Sequence, residues 1–180
     1  MSEELEILKT VTGRLKKEKI AYLVSGSMAA NYYTTPRMTR DVDIVIELLT
    51  THINGFVKAF KQDFYLDEAV IEDEVARKGM FNLIHKEYAF KIDFIIHQHT
   101  AFQDSSFKRA KEVRVADFSV SLISLEDLII AKLFWAKDSF SELQLNDIRN
   151  LLSFNKGIDQ KYLKKWVEAL KLENVYRRVI

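Results

Sequence analysis

Cysteine is absent from the 180 residues of the chain, so disulfide bonds and thiolate metal sites are excluded. Proline occurs once and glycine five times, which leaves little sequence for flexible linkers and favours one compact domain. No apolar run approaches the roughly 20 residues of a membrane-spanning helix, and no signal-peptide pattern opens the chain. We therefore expect a cytoplasmic protein with no membrane partner.

A strong charge of either sign is also missing. The chain carries 27 basic and 26 acidic residues, a formal net charge of +1. Such a balance gives no general electrostatic attraction to nucleic acids or membranes. Apolar residues make up 48% of the chain, which is enough for an ordinary globular core.

Apolar periodicity divides the chain into strand-like and helix-like segments. Short β-branched or aromatic runs predict strands at 20–24, 41–47, 80–85, 90–96 and 111–116. Helices are predicted at 3–18, 27–33, 50–62, 68–77, 124–137, 141–153 and 159–170. These elements predict an α/β (α+β) fold, with a small mixed sheet flanked by helices. We expect a core at 1–118 and a helical bundle at 119–180 packed on it.

A Gly-Ser turn joins the first predicted strand to a helix. Gly26 would let the backbone approach a ligand closely. Ser27 would lie at or near the start of the helix, where its hydroxyl and free N–H groups could meet a phosphate. An ordinary turn and helix cap would look the same in sequence.

Two aspartates follow thirteen residues later, in the strand-like segment DVDIVIE. Asp41 and Asp43 are two residues apart, so on a strand they share one face. Like charges placed this way repel unless a cation bridges them, and hard oxygen ligands suit Mg²⁺ or Mn²⁺. An edge strand with a solvated acidic face is the alternative.

A third aspartate lies in a later strand-like run, FKIDFII. If this strand lies beside 41–47, Asp93 joins the other two carboxylates and could also accept a proton from an attacking hydroxyl. On its own, Asp93 could equally be an isolated buried or edge residue. The order and spacing of all three aspartates after the Gly-Ser turn make the combination informative.

This order of Gly-Ser, Asp-x-Asp and a distant strand Asp resembles the DNA polymerase β-like nucleotidyltransferases, over about residues 20–97. The resemblance implies a mixed sheet with the catalytic strands at its centre. It also implies transfer of a nucleoside monophosphate from an NTP such as ATP by two divalent metals. Gly26 and Ser27 would hold phosphates; Asp41, Asp43 and Asp93 would bind the metals, with Asp93 as base.

Basic residues near these motifs extend the predicted site. Arg37 and Arg40 precede Asp41 and could bind a triphosphate, although a solvated loop arginine fits Arg37 as well. The helices at 124–137 and 141–153 are similar to those of minimal bacterial nucleotidyltransferases of the abortive-infection toxin type. That similarity implies phosphate contact by Lys132, support from Asp147, and a cognate antitoxin as a partner.

The sequence leaves the acceptor of the reaction open. A small molecule such as an antibiotic, an RNA end and a protein side chain all remain candidates. Two other functions also remain: a non-catalytic nucleotide-binding or regulatory module on the same fold, and a structural protein whose aspartates face water.

A separate motif, His97-Gln98-His99, follows the strand that carries Asp93. Two histidines spaced in this way on an extended segment can bind zinc. The nearest third ligand in the predicted strands is His85. A solvated strand end is the alternative interpretation.

Overall fold

A computed structural model describes residues 2–180, which form one seven-stranded mixed sheet packed against helices. The strands are β1 (Tyr22–Ser25), β2 (Asp41–Ile46), β3 (Phe64–Tyr65), β4 (Met80–His85), β5 (Lys91–Ile96), β6 (Lys111–Val115) and β7 (Phe118–Leu122). The helices are α1 (Glu3–Lys17), α2 (Gly26–Tyr33), α3 (Ile53–Phe60), α4 (Glu68–Arg77), α5 (Ala101–Lys108), α6 (Leu125–Ala136), α7 (Glu142–Phe154), α8 (Gln160–Ala169) and α9 (Glu173–Tyr176), with a 3₁₀ turn at Thr50–His52.

The sheet has the strand order β3-β4-β5-β2-β1-β7-β6. Strands β5, β2 and β1 therefore lie at its centre, so the strands that carry the aspartates and the Gly-Ser turn are neighbours. β2 runs antiparallel to β1 and parallel to β5, and β4 and β5 form an antiparallel hairpin. The predicted α/β fold, with a mixed sheet flanked by helices, is confirmed.

Apolar and polar residues alternate along β2, so one face of the sheet packs in the apolar core and the opposite face carries the aspartates. In β2, Val42, Ile44 and Ile46 are fully buried, whereas Asp41 and Asp43 are half-buried on the other face. The buried face packs on aromatic residues of α3 and neighbouring strands. Their rings contact one another at centroid distances of 4.6 to 6.1 Å and belong to Phe56, Phe60, Phe81 and Phe94.

The C-terminal helices are tied to the core by a buried carboxylate near the start of α6. Asp127 is fully buried and accepts hydrogen bonds from Ser124, Arg109 and Tyr162. The Tyr162 hydroxyl lies 2.6 Å from Asp127 Oδ1. These partners belong to the C-terminal cap of α5, to α8 and to the segment before α6. One carboxylate therefore links α6 to three other parts of the fold.

Several elements differ from the sequence prediction. β3, β7, α5 and α9 were not predicted, and the expected helix at 50–62 begins with the 3₁₀ turn and becomes α-helical only at Ile53. β7 reads FSVSL, which alternates apolar and polar residues but over only 5 positions. α5 reads AFQDSSFK, which is 8 residues long and lacks a strong apolar period. The division at 118/119 stays a prediction, although β7 crosses that position within the sheet.

Across residues 2–180, none of the helices combines the length and apolar character needed to cross a bilayer.

Candidate active site

The turn between β1 and α2 brings a glycine against an aspartate. Ser25, the last residue of β1, pairs with Asp43 across the antiparallel ladder. Gly26 begins α2 with φ +61°, in the left-handed region that favours glycine. A Cβ built on Gly26 would lie 1.8 Å from Asp43 Oδ2. The position therefore admits only glycine while the Asp43 carboxylate stays where it is.

The three aspartates lie on adjoining central strands. Asp43 is the direct partner of Asp93 in the parallel ladder between β2 and β5, and Asp41 lies two residues before Asp43 on the same face. The Thr39 hydroxyl donates a hydrogen bond of 3.0 Å to Asp41 Oδ1. Lys91 Nζ forms an ion pair of 2.7 Å with Asp93 Oδ2.

Burial and neighbouring charges raise the pKa of Asp43 to about 6. Burial is the largest cause, followed by the negative charges of Asp41 and Asp93, while Lys132 and Lys91 act in the opposite direction. The carboxylates therefore repel one another in the absence of a cation. A divalent ion between them would relieve this repulsion.

The aspartates do not form the tightest cluster of potential metal ligands. Among residues 2–180, the group whose ligand atoms all lie within 4.8 Å of one another consists of Glu47, His97 and His99. The negative charge of Asp93 is balanced by its ion pair with Lys91.

A second buried charge network lies beside the Gly-Ser turn. Lys132, which is almost fully buried, donates to Asp147 Oδ2 at 2.9 Å. Arg37 donates from Nε and Nη2 to the two oxygens of Asp147, at 3.1 and 2.9 Å. Arg37 Nη2 also donates to Ser27 Oγ at 2.8 Å.

This network lowers the pKa of the Asp147 carboxyl. Burial alone would raise that pKa, but hydrogen bonds from Arg37 and Lys132 outweigh it. Asp147 is therefore ionised at neutral pH, and it holds both cations next to the N-terminal turn of α2.

The sequence-predicted residues divide into those that share one cavity and those that do not. A cavity of about 330 Å³ is lined by Gly26, Ser27, Asp43 and Lys132. Arg40 is exposed just before β2, and within the described chain its side chain makes no hydrogen bond or ion pair. The arginine that reaches Ser27 is Arg37. The sequence was also compatible with Arg37 as a solvated loop residue.

Gln144 was not predicted at all, although it lines the same cavity and its Oε1 accepts a hydrogen bond of 3.1 Å from Lys132. The sequence offered one signal for it: Gln144 lies three residues before Asp147 and so shares its face of α7.

A second cavity, of about 410 Å³, adjoins the first along the same face of the sheet. The two share Ser25, Met80, Ile95, Ala131 and Trp135 among their lining residues. The walls of the second cavity are largely aromatic and aliphatic, and its aromatic residues are Phe102, Phe107, Phe134 and Trp135. The pair forms one cleft between the sheet and α5 and α6.

Solved structures similar to this one are nucleotidyltransferases and related proteins. The antibiotic-resistance factor ANT(2″)-Ia in complex with adenylyl-2″-tobramycin matches at TM-score 0.66 and 10% identity, over 96% of this chain and 99% of that one. An antigenic nucleotidyltransferase-like protein from Paracoccidioides brasiliensis matches at TM-score 0.59 and 16% identity, over 99% and 93% of the chains.

This chain has the nucleotidyltransferase fold.

The lincosamide antibiotic adenylyltransferase LnuA, solved with lincomycin bound, has the same fold at TM-score 0.56 and 16% identity, over 86% of this chain and 98% of that one.

No protein-family model matches the chain, and no curated protein matches it. The matches to ANT(2″)-Ia and to the Paracoccidioides brasiliensis protein cover 96% and 99% of this chain. The structural similarity therefore includes the C-terminal helices as well as the sheet.

Proposed function

We propose that the protein transfers a nucleoside monophosphate from an NTP to an acceptor hydroxyl, with release of pyrophosphate and with Mg²⁺ or Mn²⁺ as cofactor. The observation that carries this proposal is the position of Asp43, held between Gly26 on one side and Asp93 on the neighbouring strand. The fold supports the same reaction class, since the similar solved structures include a lincosamide antibiotic adenylyltransferase and an antibiotic-resistance factor in complex with adenylyl-2″-tobramycin.

Asp41, Asp43 and Asp93 are the residues that would hold the divalent ions. Their chemistry fits, because carboxylate oxygens are the ligands these ions prefer. The pKa of Asp43 is raised by burial and then by the negative charges of Asp41 and Asp93, and a bound cation would offset these effects. Bound divalent ions would supply charge neutralisation to the attacking and leaving oxygens of the transfer. Asp93 would accept the proton of the acceptor hydroxyl.

The triphosphate would bind at the start of α2. Gly26 leaves the backbone open there, Ser27 offers its hydroxyl, and Lys132 faces the same cavity. Arg37 supplies a second cation next to Ser27. Since Asp147 already holds both cations in place, little side-chain ordering remains to be completed when the triphosphate binds.

The acceptor would bind in the larger, apolar part of the cleft. A cavity of about 410 Å³ matches a small molecule rather than a protein or RNA surface. The balanced net charge of +1 also gives little attraction for RNA. The aromatic walls favour an acceptor with an apolar body and one reactive hydroxyl. An antitoxin partner finds no support in these similarities, and we do not propose one.

Label transfer tests the proposal directly. The protein is incubated with each α-labelled NTP, Mg²⁺ and a panel of hydroxyl-bearing small molecules, and labelled adducts are separated by chromatography. Wild type should form an adduct, whereas Asp43→Asn and Asp93→Asn should lose at least about a hundredfold in rate. Asp117→Asn, in the exposed β6–β7 turn, is the matched control and should react like wild type.

The main alternative is a nucleotide-binding module that does not catalyse transfer. It predicts that Mg²⁺ and NTP stabilise the protein against heat while no labelled adduct forms with any acceptor. Equal label transfer by wild type and Asp43→Asn would overturn the catalytic proposal.

A further inference from the structure

A second cluster of potential metal ligands lies at the opposite end of the central strands from the Gly-Ser turn. Glu47 directly follows β2, and His97 directly follows β5. Ile46 and Ile96, the last residues of these strands, are partners in the parallel ladder, so Glu47 and His97 leave the sheet side by side. With about 3.3 Å per strand residue, this edge lies about 13 Å from Asp93.

His97 is the buried centre of this cluster. Its side chain is 6% exposed and neither ring nitrogen has a hydrogen-bond partner within residues 2–180. The ring stacks on Phe107 at a centroid distance of 4.4 Å. Asp104 Oδ1 lies 3.2 Å from Nε2 but without the alignment of a hydrogen bond. A buried imidazole with neither nitrogen satisfied is unfavourable, and this points to a ligand that the described protein atoms do not provide.

Glu47, His97 and His99 bring one ligand atom each within 4.8 Å of the others. Glu47 Oε1 lies 3.9 Å from His99 Nε2. Ligands at about 2.0–2.1 Å from a tetrahedral ion are separated by roughly 3.3 Å, so a small side-chain adjustment would bring this pair to one ion. Asp104, on α5, lies on the other side of His99, with its Oδ1 3.2 Å from His97 Nε2 and 3.7 Å from His99 Nδ1. A carboxylate there would hold the ring nitrogen that does not bind the ion.

We propose that Glu47, His97 and His99 bind a divalent transition-metal ion of the zinc class, with Asp104 as a positioning residue for the histidines. Two imidazoles with a carboxylate form a donor set typical of zinc and unlike the all-oxygen sets that bind Mg²⁺. His85, the third ligand that the sequence suggested, is not part of the cluster; its ring stacks on Tyr88.

The ion would join the ends of β2 and β5 at one point. The segment between His97 and α5 lines the apolar cavity through Gln98 and Thr100, and α5 adds Gln103. A metal held by Glu47 and His97 would therefore fix one wall of that cavity. The site does not depend on nucleotidyl transfer, because none of its ligands belongs to the aspartate cluster.

Zinc titration of the chelator-treated full-length protein tests the site, with the free ion measured by competition against a chromophoric chelator. Wild type should bind one Zn²⁺ per chain with an affinity that excess Mg²⁺ leaves unchanged. His99→Ala and Glu47→Gln, both at half-exposed positions, should weaken binding at least about tenfold while circular dichroism remains that of wild type. His85→Ala is the matched histidine control and should bind Zn²⁺ like wild type.

Asp43→Asn separates this site from the aspartates. It should keep the Zn²⁺ affinity of wild type even though nucleotidyl transfer is lost. Absence of stoichiometric Zn²⁺ binding by wild type, full affinity in His99→Ala, or loss of affinity in Asp43→Asn would each overturn the proposal. Failure of the transfer assay would leave this result unaffected.

Discussion

Arg37 and Asp147, 110 residues apart in sequence, are joined by two hydrogen bonds of 3.1 and 2.9 Å. The same carboxylate accepts a hydrogen bond of 2.9 Å from Lys132. One anion therefore binds two cations from different parts of the chain. The loop before β2 is thereby fixed to α6 and α7 next to the N-terminal turn of α2. Asp147 is a positioning residue for the cations in our interpretation.

Replacing Asp147 should destabilise the protein strongly. Asp147→Ala leaves the buried Lys132 ammonium without its carboxylate, and loss of one partner of a buried ion pair costs about 3–5 kcal/mol. Urea denaturation measures this loss. The double variant Lys132→Met/Asp147→Leu should be less destabilised than Asp147→Ala, because it removes both charges.

Glu142→Ala is the control for this experiment, since Glu142 is an exposed residue of the same helix whose ion pair with Arg149 is also exposed. Its effect should stay within about 0.5 kcal/mol. A similarly small loss in Asp147→Ala would contradict a buried-charge role for Asp147.

Asp43→Asn should stabilise the metal-free protein at neutral pH. The pKa of Asp43 is raised to about 6 in the fold from its ordinary value near 3.9, so the native state binds a proton that the unfolded chain has lost between these values. Stability therefore falls as pH rises through this window, and the full cost, of order 3 kcal/mol, persists above pH 6.

Urea denaturation in EDTA at pH 8 and near pH 4 measures the effect. Asp43→Asn should be more stable than wild type at pH 8, and most of this difference should vanish near pH 4. A stability difference that stays the same at both pH values would contradict the assigned pKa. Asp117→Asn provides the comparison for a carboxylate on the surface.

Gly26→Ala should disrupt both folding and nucleotide binding. The new Cβ would meet Asp43 Oδ2 at 1.8 Å and the backbone would keep a φ of +61°, so the carboxylate or the turn must move. We expect a loss of more than about 1 kcal/mol and no thermal shift with NTP and Mg²⁺.

Gly13→Ala is a matched substitution at a site without these constraints. Gly13 lies exposed within α1, and a Cβ there meets nothing within 4 Å. Alanine should therefore stabilise the helix by about 0.5–1 kcal/mol. If Gly26→Ala stabilised the protein as Gly13→Ala does, the Asp43 carboxylate could not lie as close to Gly26 as we describe.

Tyr162→Phe should loosen the helical bundle from the core. The Tyr162 hydroxyl donates to the fully buried Asp127, and burial together with this hydrogen bond raises the pKa of Tyr162 to about 12. Loss of a hydrogen bond to a buried carboxylate should cost about 1.5–3 kcal/mol in urea denaturation. Tyr65→Phe, at an exposed position, should change stability little, and an equal effect in both variants would contradict this role.

Much of the fold could be predicted from local pattern. The alternation in DVDIVI placed Asp41 and Asp43 on one face because side chains on a strand alternate, and the hairpin at 80–96 followed from two apolar runs around a polar turn. Among the elements that were missed, β7 alternates over only 5 residues and is held by pairing with β1 and β6. α5 lacks a strong apolar period of its own.

The sequence alone determined which residues could perform the proposed chemistry: a glycine turn and three strand aspartates at compatible spacing. Only the tertiary structure decided that Arg37 rather than Arg40 reaches the turn, and that Glu47 rather than His85 joins the two histidines. The physical reason is that strand pairing brings residues together by register, and the register of β2 with β5 depends on burial of a whole face, not on any local motif.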